Sequence, residues 1–282
     1  MACSWSWSTA ETVGSALGLL WYYVFRFRRG HVEESLALAF GLPRNDPWIQ
    51  ATARKNFIHY GLLVVEFLRL RIIDAANVES HVEFRGMEHV DAALRKGNGV
   101  LALSAHLGNH DLLACALALR GYSLTIVSKN LKDKKVEAVW MNERSASGLN
   151  ILLHRNSIRE ILKALRGNGL VGFVIDQHAR KDNVWVSFFG RPASTLSSLA
   201  VLAARTEAPV VPIFGRRIEG GKHVLEAQPA IPLESSSDSE EAIRRNTQRF
   251  SDVVEAAIRE MPEQWTWVHR RWKEECRMQN AE

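Results

Sequence analysis

The N-terminal part of the chain repeats apolar residues at helical spacing. The pattern predicts an apolar helix over Thr12 to Phe25 and a short helix over Glu33 to Phe40. A longer helix follows, with Asp46 as its N-cap and Pro47 at its first position, where proline's missing N–H breaks no helical hydrogen bond. Its apolar positions continue to about Arg71. We therefore expect this part of the protein to be helical.

From residue 82 the pattern changes to short apolar runs separated by amphipathic segments. Such runs predict strands, and the segments between them predict helices. The predicted strands are 82–84, 100–103, 124–128, 151–153, 170–175, 185–189 and one that begins at 209. The predicted helices are 87–96, 112–119, 131–145, 157–165, 196–205, which Ser194 or Thr195 opens, and 240–260. This alternation predicts an α/β fold, in which helices flank a mixed, largely parallel central sheet.

A polar turn follows the apolar run from Val100 to Leu103. His106 comes soon after that run, and Asp111 comes five residues later. Asn109 suits the N-cap of the next helix, which places Asp111 in the first turn of that helix. The two side chains can then meet, and a histidine held by a carboxylate can serve as a general base. Asp176 follows another predicted strand, and ligands bind at this carboxyl edge of such sheets.

The apolar run near the N-terminus bears on membrane association. Thr12 to Phe25 carry no charge, and Arg26, Arg28 and Arg29 follow them. The run is shorter than the roughly 20 residues that a spanning helix needs. Aromatic residues beside arginines are typical of a helix at a membrane surface, with the arginines on the cytoplasmic side; the alternative is a buried core helix. We predict a membrane-associating segment over 1–30 and a second domain over 31–282.

The composition of the chain limits the classes of partner that we expect. The formal charge of +5 favours acidic partners such as phospholipid headgroups or an acidic carrier protein. We expect no nucleic acid partner, because the sequence has neither zinc-finger spacing nor an RNA-binding signature. The three cysteines, Cys3, Cys115 and Cys276, are odd in number and far apart. They argue against a disulfide framework and for a reducing compartment.

Six segments in this order resemble one family. They are the His-x4-Asp of His106 to Asp111, Gly148 to Arg155, the Asp-Gln of Val174 to Gln177, Phe188 to Thr195, the Val-Pro of Val211 to Ile213, and Pro262 to Lys273. The chain resembles the bacterial lipid A biosynthesis acyltransferases, within the lysophospholipid and glycerophosphate acyltransferase superfamily. It departs from the family's usual Gly-Asn-Trp-Glu by having Gly-Asn-His-Asp, and it lacks the Phe-Pro-Glu-Gly block of the glycerophosphate branch.

The resemblance implies the activity and its partners. It implies acyl transfer from an acyl carrier protein or CoA thioester to a hydroxyl of a glycolipid, such as a lipid A precursor. It places the enzyme at the cytoplasmic face of the cell inner membrane, with 31–282 as its catalytic domain. It implies no cofactor and no metal. A basic cluster, Lys129, Lys132, Lys134 and Lys135, would dock the acidic carrier protein, although such a cluster is more often a solvated face.

The resemblance also suggests roles for individual residues. His106 would take the proton of the acceptor hydroxyl, and Asp111 would orient the imidazole. We expect Arg155 and Arg159 to contact a phosphate or the thioester oxygen. Three further residues, Asp176, Gln177 and Arg191, complete the predicted substrate site. Asp176 would either hold a nearby arginine in place or contact the acceptor, and Arg191 would meet a lipid phosphate.

Three alternatives stay open at this stage. The acceptor can be another lipid, such as a phosphatidylinositol mannoside or a lysophospholipid. His106, His110 and Asp111, with His178, can instead bind a metal in a hydrolase, although no glutamate follows the first histidine as in a zincin helix. The protein can also be a membrane protein that binds lipid without catalysis.

Overall fold

The computed structural model describes residues 2–128, 133–153 and 157–272. Contacts between Cα atoms divide the chain into two compact units. The sheet unit comprises 66–174 and 202–233 with the first four residues, and the helical unit comprises 5–65, 175–201 and the chain from 234 on. Several predicted features lie outside the described residues, namely Arg155, Lys129, Lys132, Lys273, Cys276 and the start of the helix predicted at 131.

The described residues form nine strands. In chain order they are β1 (Val82–Arg85), β2 (Val100–Ser104), β3 (Leu124–Ser128), β4 (Asn150–Leu153), β5 (Leu170–Val174), β6 (Asn183–Phe188), β7 (Arg191–Leu196), β8 (Val210–Arg217) and β9 (His223–Ala227). Seven of these form one sheet in the order β1-β9-β8-β2-β5-β3-β4. All neighbours in it are parallel except β8 and β9. The predicted mixed, largely parallel sheet is confirmed.

Ten α-helices accompany the strands in the described part of the chain. They are α1 (Trp7–Leu20), α2 (Arg29–Phe40), α3 (Pro47–Leu68), α4 (Val78–His81), α5 (Met87–Leu94), α6 (His110–Leu119), α7 (Lys134–Ser145), α8 (Ser157–Arg166), α9 (Ser198–Thr206) and α10 (Ser239–Glu260). A π-helical turn, Trp21–Phe25, continues α1. The last turn of α3 and the second half of α9 belong to the sheet unit.

The core of the sheet unit packs against β2. Val100, Leu101 and Leu103 have no exposed surface, and β2 pairs with β5 on one side and β8 on the other. Helices α5 and α6 contribute Val90, Ala116 and other apolar side chains to the core that contains Val100. A continuous apolar run is what a parallel strand buried on both faces requires. The run that predicted this strand therefore reflects its central position.

The hairpin β6–β7 of the helical unit differs from the prediction. Ser194 and Thr195 lie in β7 rather than at the start of a helix, and α9 begins at Ser198. The two strands are joined by Phe189 and Gly190, which have positive φ values of 55° and 70°. A two-residue turn with positive φ at both positions matches the twist of a hairpin. The aromatic residue at the first position hid this turn in the sequence.

Other differences are shifts of element ends or an additional strand. Strand β9 was not predicted, because His223 and Glu226 interrupt its apolar pattern. Helix α2 begins at Arg29 rather than Glu33, and α3 ends before the predicted limit. The predicted cap of α3 is confirmed, since the Trp48 N–H donates to the Asp46 carboxylate at 2.8 Å.

Glycines bring α1 and α3 into backbone contact within the helical unit. A Cβ atom added to Gly61 of α3 would collide with the backbone of Gly14 and Gly18 on α1. A Cβ atom on Gly18 would likewise meet the carbonyl oxygen of Phe57. Small residues at such a crossing let two helices approach closely. Within the described residues, no helix combines the length and apolar character that crossing a bilayer demands.

This contact predicts the effect of one added methyl group. We expect Gly61→Ala to destabilise the protein by about 1–3 kcal/mol, because neither backbone can move away without separating the helices. Gly167→Ala is the matched control, because its Cβ would lie 3.4 Å from its nearest neighbours, an ordinary contact. The measurement is urea unfolding followed by tryptophan fluorescence. Equal midpoints for the two variants would contradict the close contact.

Candidate active site

The turn between β2 and α6 is built from backbone constraints. The side chain of Asn109 accepts a hydrogen bond from the N–H of Leu112 at 3.0 Å, which confirms the predicted N-cap. Gly108 has a φ of 59°, and a Cβ atom there would collide with the backbone of Gly215 on β8. Only glycine fits a position that combines this conformation with this close approach. The sequence around Gly108 therefore fixes the path of the chain between His106 and α6.

The turn brings three titratable side chains together. The rings of His106 and His110 lie 5.0 Å apart, edge to face. Nε2 of His110 lies 4.0 Å from Oδ1 of Asp111. All three side chains are partly buried. The sequence prediction placed His106 and Asp111 on this turn and first helical turn, and the structure has them there.

The carboxylate of Asp111 is held by helix α7. Arg144 donates from its guanidinium to Oδ1, and the indole N–H of Trp140 donates to Oδ2 at 3.1 Å. The Arg144 guanidinium also stacks over the Trp140 ring, 4.2 Å from its centroid. Arg144 is buried, with 7% of its side chain exposed. Both oxygens of Asp111 thus have a donor fixed by another element.

Arg144 and Trp140 do not stand out in the sequence, where their segment predicts only a basic helix. The available signal was their spacing of four, which places a tryptophan and an arginine on one face of a helix. That spacing does not say which residue they face. Only the packing of α7 beside α6 gives them a partner.

Among the other predicted cations of the sheet unit, those that the structure describes are at the surface. Arg159 lies in the first turn of α8 and is exposed. Lys134 and Lys135 begin α7 and are also exposed, and Lys134 pairs with Glu137 at 2.9 Å. Arg155 lies outside the described residues. The roles of these cations stay predictions.

Asp176 belongs to the helical unit and is almost fully buried, with 2% of its surface exposed. Oδ2 of Asp176 accepts a hydrogen bond from the indole N–H of Trp265 at 2.8 Å. The next residues are tied to the same C-terminal segment. The N–H of His178 donates to Nε2 of His269 at 3.0 Å, and the Gln177 carbonyl accepts from Arg271 at 2.9 Å. Two motifs that are far apart in sequence therefore form one buried assembly.

Arg271 is the centre of this assembly. Its guanidinium also donates to the Ser194 carbonyl at 2.6 Å and to the Thr195 hydroxyl, so it joins the Asp-Gln segment to β7. Only 1% of Arg271 is exposed. Burial lowers the pKa of Arg271 to about 10, which leaves the guanidinium charged at neutral pH. The Phe188 to Thr195 and Pro262 to Lys273 motifs thus meet at a charged, buried side chain.

Arg191 lines a surface cavity of about 490 Å³ in the helical unit. Arg44 lines the same cavity, together with Glu34 and apolar residues of α2. Arg44 is paired with Glu33 at 2.9 Å, and a guanidinium such as that of Arg191 suits an anion such as a phosphate.

The metal-hydrolase alternative requires at least three ligand side chains around one point. Across the ranges that the structure describes, no group of three or more His, Cys, Asp or Glu side chains is arranged to hold a metal ion. Cys115 is a core residue with 1% of its surface exposed, and this burial raises the pKa of its thiol to about 11. A protonated buried thiol is a poor metal ligand and a poor nucleophile.

The sheet has a histidine on the turn after its central strand and a carboxylate in the first turn of α6, an arrangement suited to an enzyme that activates a hydroxyl by general-base catalysis. The chain belongs to the bacterial lipid A biosynthesis acyltransferase family, whose model matches residues 6–274. The family suggested by the sequence motifs is therefore confirmed, and it is a family of acyltransferases.

Similar proteins carry two kinds of name. A lipid A biosynthesis acyltransferase of Haemophilus influenzae is 27% identical over 195 residues, which cover 68% of this chain and 59% of that protein. A phosphatidylinositol mannoside acyltransferase of Mycobacterium tuberculosis is 26% identical over 250 residues, 86% of this chain and 76% of that protein. A lipid A biosynthesis lauroyltransferase of Escherichia coli is 24% identical over 265 residues, which cover 93% of this chain and 84% of that protein. The acceptor therefore differs among the relatives.

The burial of the Asp111–Arg144 pair predicts a large effect of breaking it. We expect Arg144→Met to lower the free energy of unfolding by about 3–5 kcal/mol, because it leaves a buried carboxylate without its cation. Replacing both partners, Arg144→Met with Asp111→Leu, should recover most of this loss. Arg85→Met is the matched control, since Arg85 pairs with Glu83 in the same unit and the two side chains are 45% and 52% exposed. Its unfolding midpoint, measured in the same urea titration, should barely move. Similar shifts for Arg144→Met and Arg85→Met would contradict the prediction.

Proposed function

We propose that the protein transfers a fatty acyl chain from a thioester to a hydroxyl group of a membrane glycolipid. The observation that supports this most is the turn of His106 and Asp111, anchored by Arg144 and Trp140, in a chain of the lipid A acyltransferase family. A partly buried histidine five residues before a fixed carboxylate is suited to proton transfer. The donor is an acyl carrier protein thioester or acyl-CoA, and the acceptor is a lipid A precursor.

His106 is the general base of the proposed reaction. It takes the proton of the acceptor hydroxyl as the oxygen attacks the thioester carbonyl, so that a C–O bond forms. The tetrahedral intermediate collapses, the C–S bond breaks, and the thiolate leaves with the proton from the imidazolium. Asp111 orients the ring and stabilises its positive charge, as the acid does in a serine triad. The substrate supplies the hydroxyl, so the protein needs no nucleophile of its own.

The remaining predicted residues bind the substrates. Arg155 and Arg159 contact a phosphate or the oxyanion. Arg191 and Arg44 contact a lipid phosphate at the cavity they line. Asp176 and Gln177 shape the acceptor site; the hydrogen bond of Asp176 to Trp265 favours a positioning role for this carboxylate. The basic cluster with Lys134 and Lys135 docks the acidic carrier protein.

A phosphatidylinositol mannoside is the second candidate acceptor. The similarity to the mycobacterial enzyme, which covers 86% of the chain, favours it. Both candidates are glycolipids of a membrane, so the same base and the same donor serve either one. The two differ in the headgroup that the substrate-binding residues must accept.

The N-terminal segment supplies the membrane contact in this proposal. Val24, Phe25 and Phe27 are 63%, 68% and 64% exposed. Two neighbouring arginines face the protein: Arg28 donates to the carbonyl of Val268 at 2.5 Å, and Arg29 pairs with Glu33 at 2.7 Å. The apolar side chains, rather than these arginines, therefore form the surface that enters the lipid. Residues 1–30 hold the catalytic domain, 31–282, at the cytoplasmic face of the inner membrane.

The central test measures the reaction itself. Membranes that contain the protein are incubated with acyl carrier protein thioesters and a lipid A precursor, and mass spectrometry follows the acceptor. We expect a mass gain of one acyl chain, which falls about 10²- to 10⁴-fold in His106→Ala because that variant lacks the general base. His89→Ala, a histidine variant on α5 of the same unit, serves as control and should keep the wild-type rate.

The outcomes separate the candidates. Thioester consumption can depend on His106 while the lipid A precursor gains no mass. In that case phosphatidylinositol mannosides become the proposed acceptor, and the same assay tests them. Wild-type turnover in His106→Ala would overturn the proposed base. If the protein binds liposomes but consumes no thioester, it is a lipid-binding protein without this catalytic activity.

The membrane surface is tested by vesicle binding. We expect Phe25→Ser with Phe27→Ser to weaken binding to phosphatidylethanolamine and phosphatidylglycerol vesicles by at least about tenfold, because burial of one Phe side chain is worth about 1.5–3 kcal/mol. Val64→Ser with Trp185→Ser removes two other exposed apolar side chains of the same unit, 53% and 49% exposed. That control should bind like the wild type. Equal loss in both double variants would mean that the apolar patch after α1 is not the docking surface.

A further inference from the structure

A second buried ion pair lies in the sheet unit, outside the residues used so far. Glu66, in the last turn of α3, receives two hydrogen bonds from Arg217 at the end of β8, at 2.5 Å to Oε1 and 2.6 Å to Oε2. The two side chains are 6% and 9% exposed. Nε2 of His223, the cross-strand neighbour of Arg217 on β9, lies 3.3 Å from Oε1. The carboxylate is thus surrounded by donors from two strands.

Glu66 stays ionised in this environment. Burial alone would raise the pKa of Glu66, but the hydrogen bonds from Arg217 and His223 outweigh it and hold the pKa well below its usual range. An ionised carboxylate is a strong hydrogen-bond acceptor, and its two oxygens have room for about four hydrogen bonds. It can therefore fix the orientation of any donor that reaches it.

That further donor is Asn109. Its Nδ2 donates to Oε2 of Glu66 at 2.8 Å, and the contact is buried. The other end of the same amide caps α6 through the N–H of Leu112. One asparagine side chain thus connects Glu66 to the start of the helix that carries Asp111. The turn is in addition pressed against β8, where Gly108 meets the backbone of Gly215.

We propose that Glu66 is a positioning residue for the turn of His106 and Asp111, and that it acts through Asn109. A buried ion pair is weak support for stability, since apolar residues of similar volume often serve as well. Its value here is geometric: it fixes where the amide of Asn109 lies, and the amide fixes where the turn begins the helix. The inference rests on the proposed function, because it assigns Glu66 a role only if this turn performs the chemistry.

Asn109→Ser is the variant that isolates the link. Serine is as good an N-cap as asparagine, so the bond to Leu112 is replaced, but the donor to Glu66 is lost. We expect kcat for acyl transfer to fall about 10- to 100-fold, with the KM for the thioester changed less than about threefold, because a displacement of about 1 Å has this effect on a reacting group. Loss of kcat without a change in KM is the signature of a misplaced base rather than of damaged binding.

Asn168→Ser is the matched control. The amide of Asn168 also joins two segments, by accepting from the N–H of Gly99 and donating to the carbonyl of Leu94, both at 3.1 Å. These contacts lie at the amino end of β2, away from the turn. We expect this variant to lower the thermal midpoint at least as much as Asn109→Ser while kcat stays within about twofold of wild type. Equal losses of kcat in the two variants would mean a general loss of structure and would overturn the inference.

A second variant approaches the link from the other side and covers the case in which Asn109→Ser does not fold. Glu66→Met with Arg217→Met removes the acceptor and leaves neither charge of the pair behind. It should show the same loss of kcat as Asn109→Ser. Combining it with Asn109→Ser should cause no further loss, because both changes break one connection. Wild-type kcat in the Met variant, or multiplied losses in the combination, would overturn the inference.

His106→Ala in the same assay separates this inference from the proposed function. If His106→Ala is inactive and Asn109→Ser has wild-type kcat, the base stands and Glu66 has no positioning role. If His106→Ala turns over like wild type, His106 is not the base, and the positioning role of Glu66 fails with it.

Discussion

The burial of β2 on both faces is the constraint on which the proposed site depends. The strand pairs in parallel with β5 and β8, and Val100, Leu101 and Leu103 have no exposed surface. A strand in this position cannot hold an ionisable side chain without a partner, because charge is unfavourable in an apolar core. Titratable groups can first appear where the strand ends. The turn that contains His106 begins there. Gly108 of this turn lies against the backbone of Gly215 on β8, and α6 starts two residues later, at His110.

Buried charges fix the segments that follow such strands. Asp111 is held by Arg144, Glu66 is held by Arg217, and Arg271 binds two backbone carbonyls and a hydroxyl. Apolar residues pack strands and helices well, but they cannot specify the path of an irregular loop. A charged group with several directed hydrogen bonds can do so, because each bond has a preferred distance and angle. Asp111, Glu66 and Arg271 accordingly lie at a helix end or in an irregular segment rather than within a strand.

The sequence predicted the features that depend on neighbouring residues, but not the contacts between residues that are far apart in the chain. The apolar runs predicted the parallel strands, and the spacing around Asn109 predicted its cap, because neighbouring residues determine both. The hairpin was missed because Phe189 occupies a positive-φ position that glycine or asparagine usually marks. Arg144 and Glu66 were missed for a different reason. They lie 33 residues from Asp111 and 43 residues from Asn109, respectively, and no spacing in the sequence connects them to the turn before the chain has folded.

Two anchors, helix α7 and Glu66, hold different residues near the turn, and this bears on how the proposed base is oriented. Helix α7 holds Asp111, while Glu66 holds Asn109 two positions earlier. The backbone of a turn that contains glycine has more conformational freedom than that of a turn without glycine. A base on such a turn would sample many orientations. With both ends of the Asn109–Asp111 segment fixed during folding, the entropy of ordering it is lost before the substrates bind. A base that is already oriented needs no rearrangement in the transition state, which is where proximity lowers a barrier most.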